Sequence, residues 1–376
     1  MGIGYGHASR CVNLARRLIS MGNEVFLSSY GDGLRFLARE AIDLPVFRGG
    51  KKVVWKMKRD GSPDIKGTLM SLPVYTMSFM NHLREEVQNL EAINPDIVIS
   101  DSRIATLMAA SMLEIPSVVV LNQPKILLSK RRLLERALAR LMGFAWRMSN
   151  TVLMADFPPP YTISRAHVDK LPRSLTNRLE FVGPLVEVRR EKGESVRDLF
   201  DIPSDRKIVL VMISGPEKER KSLFDDIIRI IRKYDGREMF FLVSKGDSEE
   251  DPGISSRGES YIVFNWISNK WMFFNQADVI VSRGGHTVLS EALLLGIPVV
   301  SIPTPGHTEK IENSRSLERI GAGLLLEQSR INNLIEMLRR ILEDESYRNN
   351  ARKIRDKFSR WDSMDRAIGL TLSSLY

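Results

Sequence analysis

The sequence predicts an α/β protein made of two doubly wound halves. Short β-branched apolar runs recur along the chain, at DIVIS (96–100), SVVVLN (117–122), KIVLVMIS (207–214), MFFLVS (239–244), SYIVF (260–264), DVIVS (278–282) and PVVSIP (298–303). Near-continuous runs of this kind suit parallel strands covered on both faces. Helical patterns separate most of them, as crossover connections between parallel strands require. At 376 residues the chain also exceeds one ordinary core, given ~150 residues per domain.

The elements follow in order. The chain opens on MGIGYGHASR, a glycine-rich turn running into a helix that Leu14 and Leu18 fit and Gly22 stops. Such a turn normally closes a β-strand, and a strand takes about 5–6 residues. Only Met1 stands before the turn, so the first strand of the N-terminal half is expected to be missing and the natural product to start upstream. EVFLSSY (24–30) reads as a strand with a GDG turn after it, and TLMAASMLE as the helix between DIVIS and SVVVLN. GPLVEVRREKGE, a Gly-Pro turn followed by a charge run, reads as a linker. From about Ile331 the pattern is amphipathic helix. The expected organisation is a Rossmann-like domain over 1–185, a linker over 186–199, a second Rossmann-like domain over 200–345, and helices over 346–376 packing back toward the first domain. In open α/β sheets ligands bind beyond the carboxyl ends of the strands, so functional residues are sought in strand-to-helix loops.

Composition narrows the function classes. A single cysteine, Cys11, rules out a disulfide within the chain and points to a reducing compartment. One Cys and five scattered His give no zinc-ligand spacing, so no metal and no resident cofactor is expected. No run reaches the ~18–20 apolar residues of a membrane span, and the start lacks a signal peptide's pattern. A cytoplasmic protein is expected. The net charge of +9 favours anionic partners. That charge concentrates in two stretches of the first half. RGGKKVVWKMKR (48–59) carries Lys51 and Lys52 among six basic residues. Lys125 to Arg147 carries seven, including Arg131, Arg132 and Arg136, against the single acid Glu135. The second stretch interleaves them with leucines, Phe144 and Trp146, a basic amphipathic helix suited to an anionic membrane face. An ordinary helix with a solvated basic face fits the same pattern. Nucleic acid is not expected as a partner: no recognition motif is present and aromatics are only 7%.

The strongest motif is VIVSRGGHTVLSEALLLGIPVVSIP. A strand ends at Ser282, the turn Arg283-Gly284-Gly285-His286 opens a helix, and Gly296 and Pro298 stop it. Glycines let an anion approach the backbone. A helix N-terminus adds N–H donors and a partial positive charge, worth ~0.3–2 kcal/mol to an anion. Arg283 suits a phosphate oxygen, and the carboxylate of Glu291 suits a ribose diol. In isolation the segment would be a plain βα turn with a surface Glu.

The run R-G-G-H-T-x-x-S-E followed by G-I-P resembles the nucleotide-sugar signature of GT-B glycosyltransferases, closest to the MurG-like transferases and the wider UDP-glycosyltransferase group. PTPGHTEKIENSRSLERIGAG continues the resemblance as their donor-binding loop. That likeness implies that Glu309 and Lys310, with Asn313 following, meet the donor sugar. Lys310 stands where the family has Gln, which an anionic sugar or a different loop register would each explain. FNWISNKWMFFNQADVIVS resembles the base-binding segment, so Trp266 would stack on uracil and the Ile267 backbone would read its edge; by residue type alone Trp266 suits core packing equally. Ser214-Gly215 falls at the family's small loop against the diphosphate.

In the first half GIGYGHASR is similar to the family's glycine-rich loop bearing a histidine. His7 would then be the general base, a role its near-neutral pKa suits, and Asp101 after DIVIS would orient it. Asp101 is equally placed to cap the helix that follows. The resemblance implies an inverting transferase moving a sugar from a UDP-sugar co-substrate to a hydroxyl, on a polyprenyl- or other lipid-linked acceptor at the inner membrane face. A nucleotide-sugar epimerase of similar architecture and a non-catalytic donor- or membrane-binding subunit are the rival classes.

Overall fold

The structure is a computed structural model, and it describes residues 5–40, 43–49, 67, 71–128, 132–189, 194–215, 217–246, 253–267 and 269–375. The chain divides into two compact units, Met1–Val186 with Asp362–Tyr376, and Glu187–Trp361.

In the first unit, strands β1 (Leu27–Ser29) and β2 (Val46–Arg48) form a parallel pair. Strands β3 (Val98–Asp101), β4 (Ser117–Leu121), β5 (Thr151–Met154) and β6 (Leu179–Phe181) form a separate parallel sheet in that order. Every residue of β4 is buried, as a parallel strand covered on both faces must be. Helices α1 (Tyr5–Ser20), α2 (Gly31–Glu40), α3 (Leu72–Ile93), α4 (Ile104–Met112) and α5 (Arg132–Trp146) connect and cover the strands. Helix α1 stops where the glycine predicts. Gly22 takes φ +87°, and its N–H and that of Asn23 donate to the carbonyls of Ile19 and Leu18, closing the last turn. The small residues Ala105, Ala109 and Ala110 of α4 are buried against Leu83 and Leu90 of α3 and Val98 of β3.

Trp146 is 2% exposed. It packs with Leu107, Val119, Leu121 and Val152, and its indole N–H donates to the Pro124 carbonyl at 2.9 Å. It is a core residue and not part of a membrane-facing surface. An amphipathic helix has to bury one apolar stripe, and Trp146 lies on that stripe.

The second unit carries one seven-stranded sheet in the order β13–β12–β11–β7–β8–β10–β9. Its strands are β7 (Lys207–Met212), β8 (Met239–Ser244), β9 (Ile254–Arg257), β10 (Tyr261–Phe264), β11 (Val279–Ser282), β12 (Val299–Ser301) and β13 (Gly323–Leu325). All neighbours pair parallel except the edge pair β9–β10. The crossover helices are α6 (Glu217–Arg232), α7 (Lys270–Phe274), α8 (His286–Leu295) and α9 (Thr308–Arg319), and α10 (Leu334–Glu343) and α11 (Glu345–Phe358) follow the last strand. Strand order reverses direction between β7 and β11, which makes the carboxyl ends of those two strands the switch point. Gly296 ends α8 at φ +74°, and a Cβ there would stand 3.2 Å from the Cα of Arg352 on α11.

The chain ends depart from the expected plan. Val196–Leu199, within the expected linker, form a helical turn in the second unit; Val196 is buried and its N–H donates to Gln276 Oε1 at 2.8 Å. Helix α11 stays with the second unit, and only Asp362–Tyr376 belongs to the first. There helix α12 (Ser363–Leu372) buries Ala367 beside Val118 and Val120, and Ile368 beside Leu14 and Leu18. Trp146→Ala is expected to cost ~3–5 kcal/mol, read as an earlier transition in urea denaturation of the full chain.

Candidate functional site

The first unit assembles a polar cluster around His7. Helix α1 begins at Tyr5, so His7 lies in its first turn and Arg10 three residues later on the same face. Asp101 ends β3 and Asn122 follows β4, so adjacent parallel strands deliver both to one edge. His7 Nδ1 lies 2.9 Å from Asp101 Oδ1, with the two side chains 19% and 3% exposed. Arg10 donates to the same carboxylate from Nε, at 2.6 Å, and from Nη2. Asp101 does not cap α4, whose N-cap is Arg103. Burial opposes ionisation of Asp101, but Arg10 and His7 outweigh it and hold the carboxyl well below the usual range. Burial is also the main reason His7 falls below an ordinary histidine; Asp101 pulls it up and Arg10 pushes it back down. The Cys11 thiol, 3.6 Å from Asp101, is pushed up to about 12 by burial and by that carboxylate.

The turn after Asp101 is braced from below. Ser102 takes φ +54°, a left-handed conformation that costs a non-glycine residue energy. Its N–H donates to the Val120 carbonyl at 3.1 Å. Buried Arg103 then ties the turn to three other segments: it donates to Glu86 Oε1 and the Gly49 carbonyl, each at 2.8 Å, and its guanidinium lies 5.1 Å from the centre of the Tyr30 ring.

The second unit gathers its loops at the switch point. Ser214 and Gly215 are exposed beyond β7, with Gly215 at φ +121°. Arg283 follows β11, and Thr304 lies beyond β12. Glu219, in the first turn of α6, sits among them. Its Oε2 accepts from Thr304 Oγ1 at 2.8 Å and from Lys310 Nζ at 3.1 Å, and lies 3.9 Å from Arg283 Nη2. Burial raises the Glu219 pKa and Lys310 and Thr304 lower it further, leaving it below the ordinary value. Burial depresses Lys310, and burial with Lys310 takes His307 down to about 4.

The Gly-Gly turn divides into two roles. Gly284 has φ +74°, and a Cβ there would stand 2.6 Å from Ser314 Oγ and 2.8 Å from the Lys310 carbonyl. This glycine admits helix α9, not a ligand. Gly285, the N-cap of α8, has nothing within 4 Å of where a Cβ would be, so its outer side is open for an approaching group.

Other expected residues sit as follows. Trp266 is half-buried just beyond β10, with Ile267 buried beside it. His286 is buried at the start of α8, its Nδ1 3.5 Å from Ser290 Oγ. Glu309 is half-buried in the first turn of α9. Glu291 is buried and accepts from Lys270 Nζ at 2.6 Å; burial raises its pKa against that pull. Arg283, 1% exposed, donates to Gln328 Oε1 at 2.8 Å, so internal partners already orient it. Asn313 departs from its expected place at the donor sugar. It is fully buried and donates to the Gly284 carbonyl at 3.3 Å, bracing the turn from inside. Sequence reasoning missed Arg10, Asn122, Glu219, Lys270 and Thr304. Only Arg10 left a signal, its three-residue spacing from His7.

Of the expected membrane face, Lys51, Lys52, Arg131 and the Arg132 side chain lie outside the described residues. On the rest of α5, Arg136 and Arg140 are exposed beside Leu133, Leu141 and Phe144, themselves 81%, 66% and 63% exposed. Val74, Met77 and Met80 form a second exposed stripe on α3. No helix among the described residues is long and apolar enough to cross a membrane.

Residues 218–366 match the glycosyltransferase family 28 C-terminal domain. A protein of Methanosarcina acetivorans, named an uncharacterized glycosyltransferase, is 26% identical over 362 residues, spanning 94% of this chain and 91% of its own. The crystal structure of the glycotransferase of kitacinnamycin superimposes with a TM-score of 0.71 at 16% identity, over 99% of this chain and 97% of its own. The chain is a glycosyltransferase of the GT-B fold. It resembles the MurG-like and wider UDP-glycosyltransferase group. Over 48% of this transferase and 52% of its own length, a UDP-N-acetylglucosamine–N-acetylmuramyl-(pentapeptide) pyrophosphoryl-undecaprenol N-acetylglucosamine transferase of Desulforamulus reducens is 26% identical.

The two glycines of the transferase's turn are expected to respond differently. Gly284→Ala forces a Cβ into α9 from a left-handed conformation, a strain of at least ~1–2 kcal/mol, and lowers the thermal midpoint in calorimetry. Gly285→Ala meets no neighbour, so it lowers that midpoint by less, through its poorer capping of α8 alone, and weakens nucleotide binding by titration calorimetry.

Proposed function

We propose that this glycosyltransferase moves a sugar from a UDP-sugar to an acceptor hydroxyl with inversion at the anomeric carbon. The observation that carries the reading is the His7–Asp101 pair, a ring nitrogen held on a buried, ionised carboxylate at a strand end. His7 Nε2 takes the acceptor's proton as its oxygen attacks the anomeric carbon, and Asp101 stabilises the imidazolium that forms. The sugar–phosphate bond breaks as the new bond forms, and the leaving diphosphate carries away the electron pair. The open side of Gly285 at the N-terminus of α8 receives that developing charge, with no metal ion in the step. Trp266 and the Ile267 backbone take the base. Ser214 and Gly215 border the diphosphate, Glu291 with Lys270 meets the ribose, and Glu309 meets the sugar. Lys310 does not require an anionic sugar, because Glu219 already matches its charge.

The acceptor is proposed to be lipid-linked, at the cytoplasmic face of an anionic membrane. The exposed leucines and Phe144 of α5 offer apolar contact, and Arg136 and Arg140 offer ~1 kcal/mol each near such a surface. The name of the Desulforamulus reducens relative, with its pyrophosphoryl-undecaprenol acceptor, supports the same class.

A donor screen by UDP release, with membrane lipid extract as acceptor, identifies the sugar. His7→Ala is expected to lower transfer by ~10²–10⁴ while UDP affinity by calorimetry stays unchanged; undiminished turnover would remove His7 from the reaction. Arg136→Glu with Arg140→Glu is expected to reduce co-sedimentation with phosphatidylglycerol vesicles and not with phosphatidylcholine vesicles.

A further inference from the structure

We propose that Arg10 is a positioning residue for the base: itself held by Asn122, it fixes and partly offsets Asp101, the carboxylate that draws the ring proton of His7 to Nδ1. The proposal rests on reading His7 as the base, but its geometry and its test do not depend on turnover.

The hydrogens of Arg10 limit what it can hold. Arg10 Nε has one, which goes to Asp101 Oδ2 at 2.6 Å. Arg10 Nη2 has two. One goes to Asp101 Oδ1, giving the two-pronged guanidinium–carboxylate contact that arginine favours. Acceptors in reach of the other include His7 Nδ1 at 2.8 Å and Asn122 Oδ1 at 3.3 Å. If His7 Nδ1 accepted it, Nδ1 would be bare. Its 2.9 Å contact with Asp101 Oδ1 would then oppose two lone pairs across a hydrogen-bond distance. The ring proton would sit on Nε2, where the base needs a lone pair. If Asn122 accepts it, Nδ1–H donates to Asp101 and Nε2 is left bare, while Nη2 and Nδ1 stand 2.8 Å apart as two donors with their hydrogens turned to Asn122 and Asp101. An ionised carboxylate beside Nδ1 selects the second arrangement.

Charge works in the same direction. Among the described residues, the charged groups whose field reaches His7 are Asp101 on β3 and Arg10 on α1. Cys11 on α1 stays a neutral thiol, and Asn122 beyond β4 carries no charge. The Asp101 carboxylate raises the proton affinity of His7 against the effect of burial. Arg10 adds to burial in opposing that carboxylate, so the imidazole keeps its hydrogen bond to Asp101 while titrating below an ordinary histidine.

The test is histidine-ring NMR on the ligand-free full chain. It has five histidines, and the His7→Gln spectrum assigns the signal. Native His7 is expected to titrate below the ordinary histidine value, with ring ¹⁵N shifts showing Nδ1 protonated and Nε2 bare. Arg10→Met is expected to raise its titration by roughly one pH unit or more, tenfold in proton affinity. Arg10→Lys, which keeps the charge and loses the fork, is expected to fall between. Asn122→Leu is expected to move the ring proton toward Nε2. Arg10 acting only as packing would lower the melting temperature and leave the His7 titration in place, which overturns the proposal. Native His7 titrating at or above the ordinary value, or carrying its proton on Nε2, overturns it too, even should Arg10→Met fail to fold. The expected titration with undiminished transfer by His7→Ala would instead leave the Arg10 assignment standing and remove the catalytic reading.

Discussion

Parallel strands constrain this molecule more than any single contact. A strand that pairs parallel with its neighbour must return through a crossover, so successive strands end at the same edge of the sheet. Asp101 ends β3 and Asn122 follows β4 in one unit; Gly215, Trp266, Arg283 and Thr304 follow β7, β10, β11 and β12 in the other. Residues far apart in sequence meet because topology leaves their loops nowhere else to go. Helix α1 contributes His7 and Arg10 to the same kind of edge, and α6 contributes Glu219.

What the two units do with these edges differs. The first brings a carboxylate, a guanidinium and an imidazole together where water is largely excluded. A buried charge is tolerated only when its partners are close and well oriented. Asp101 meets that condition through His7, Arg10 and Cys11, and the turn that bears it is fastened by the equally buried Arg103–Glu86 pair. The second keeps a more accessible arrangement, with Ser214 and Gly215 exposed and one side of Gly285 open. Its cations are oriented by internal partners, Arg283 by Gln328 and Lys310 by Glu219.

Most of the parallel sheet was legible because its strands are short, fully buried and β-branched, a pattern that solvent-facing elements do not imitate. DIVIS, SVVVLN, MFFLVS and DVIVS all lie on strands. Strands β2, β6 and β13 have three residues each and were not anticipated; β1 and β12 are as short but lie inside the longer apolar runs EVFLSSY and PVVSIP. Misreadings came where composition is blind to direction. Trp146 shares a helix with exposed arginines, and nothing in the letters says which side of α5 it occupies. Asn313 and Glu309 lie one helical turn apart, one facing inward to Gly284 and the other half-buried. His7 and Asp101 could be paired from their loops, whereas Arg10 needed a helix that starts at Tyr5 and Asn122 needed the register of β4 beside β3. Gly284 shows a subtler limit: its glycine is required, but by a neighbouring helix and not by a ligand.

The carboxylate of Glu219 gives the second unit a built-in rival for its own guests. Any anion that seeks Arg283, Lys310 and Thr304 finds one already seated, tethered to α6 and therefore present at high local concentration. An anion entering there would gain only the difference between two similar grips, because Glu219 already holds Thr304 and Lys310 and lies beside Arg283.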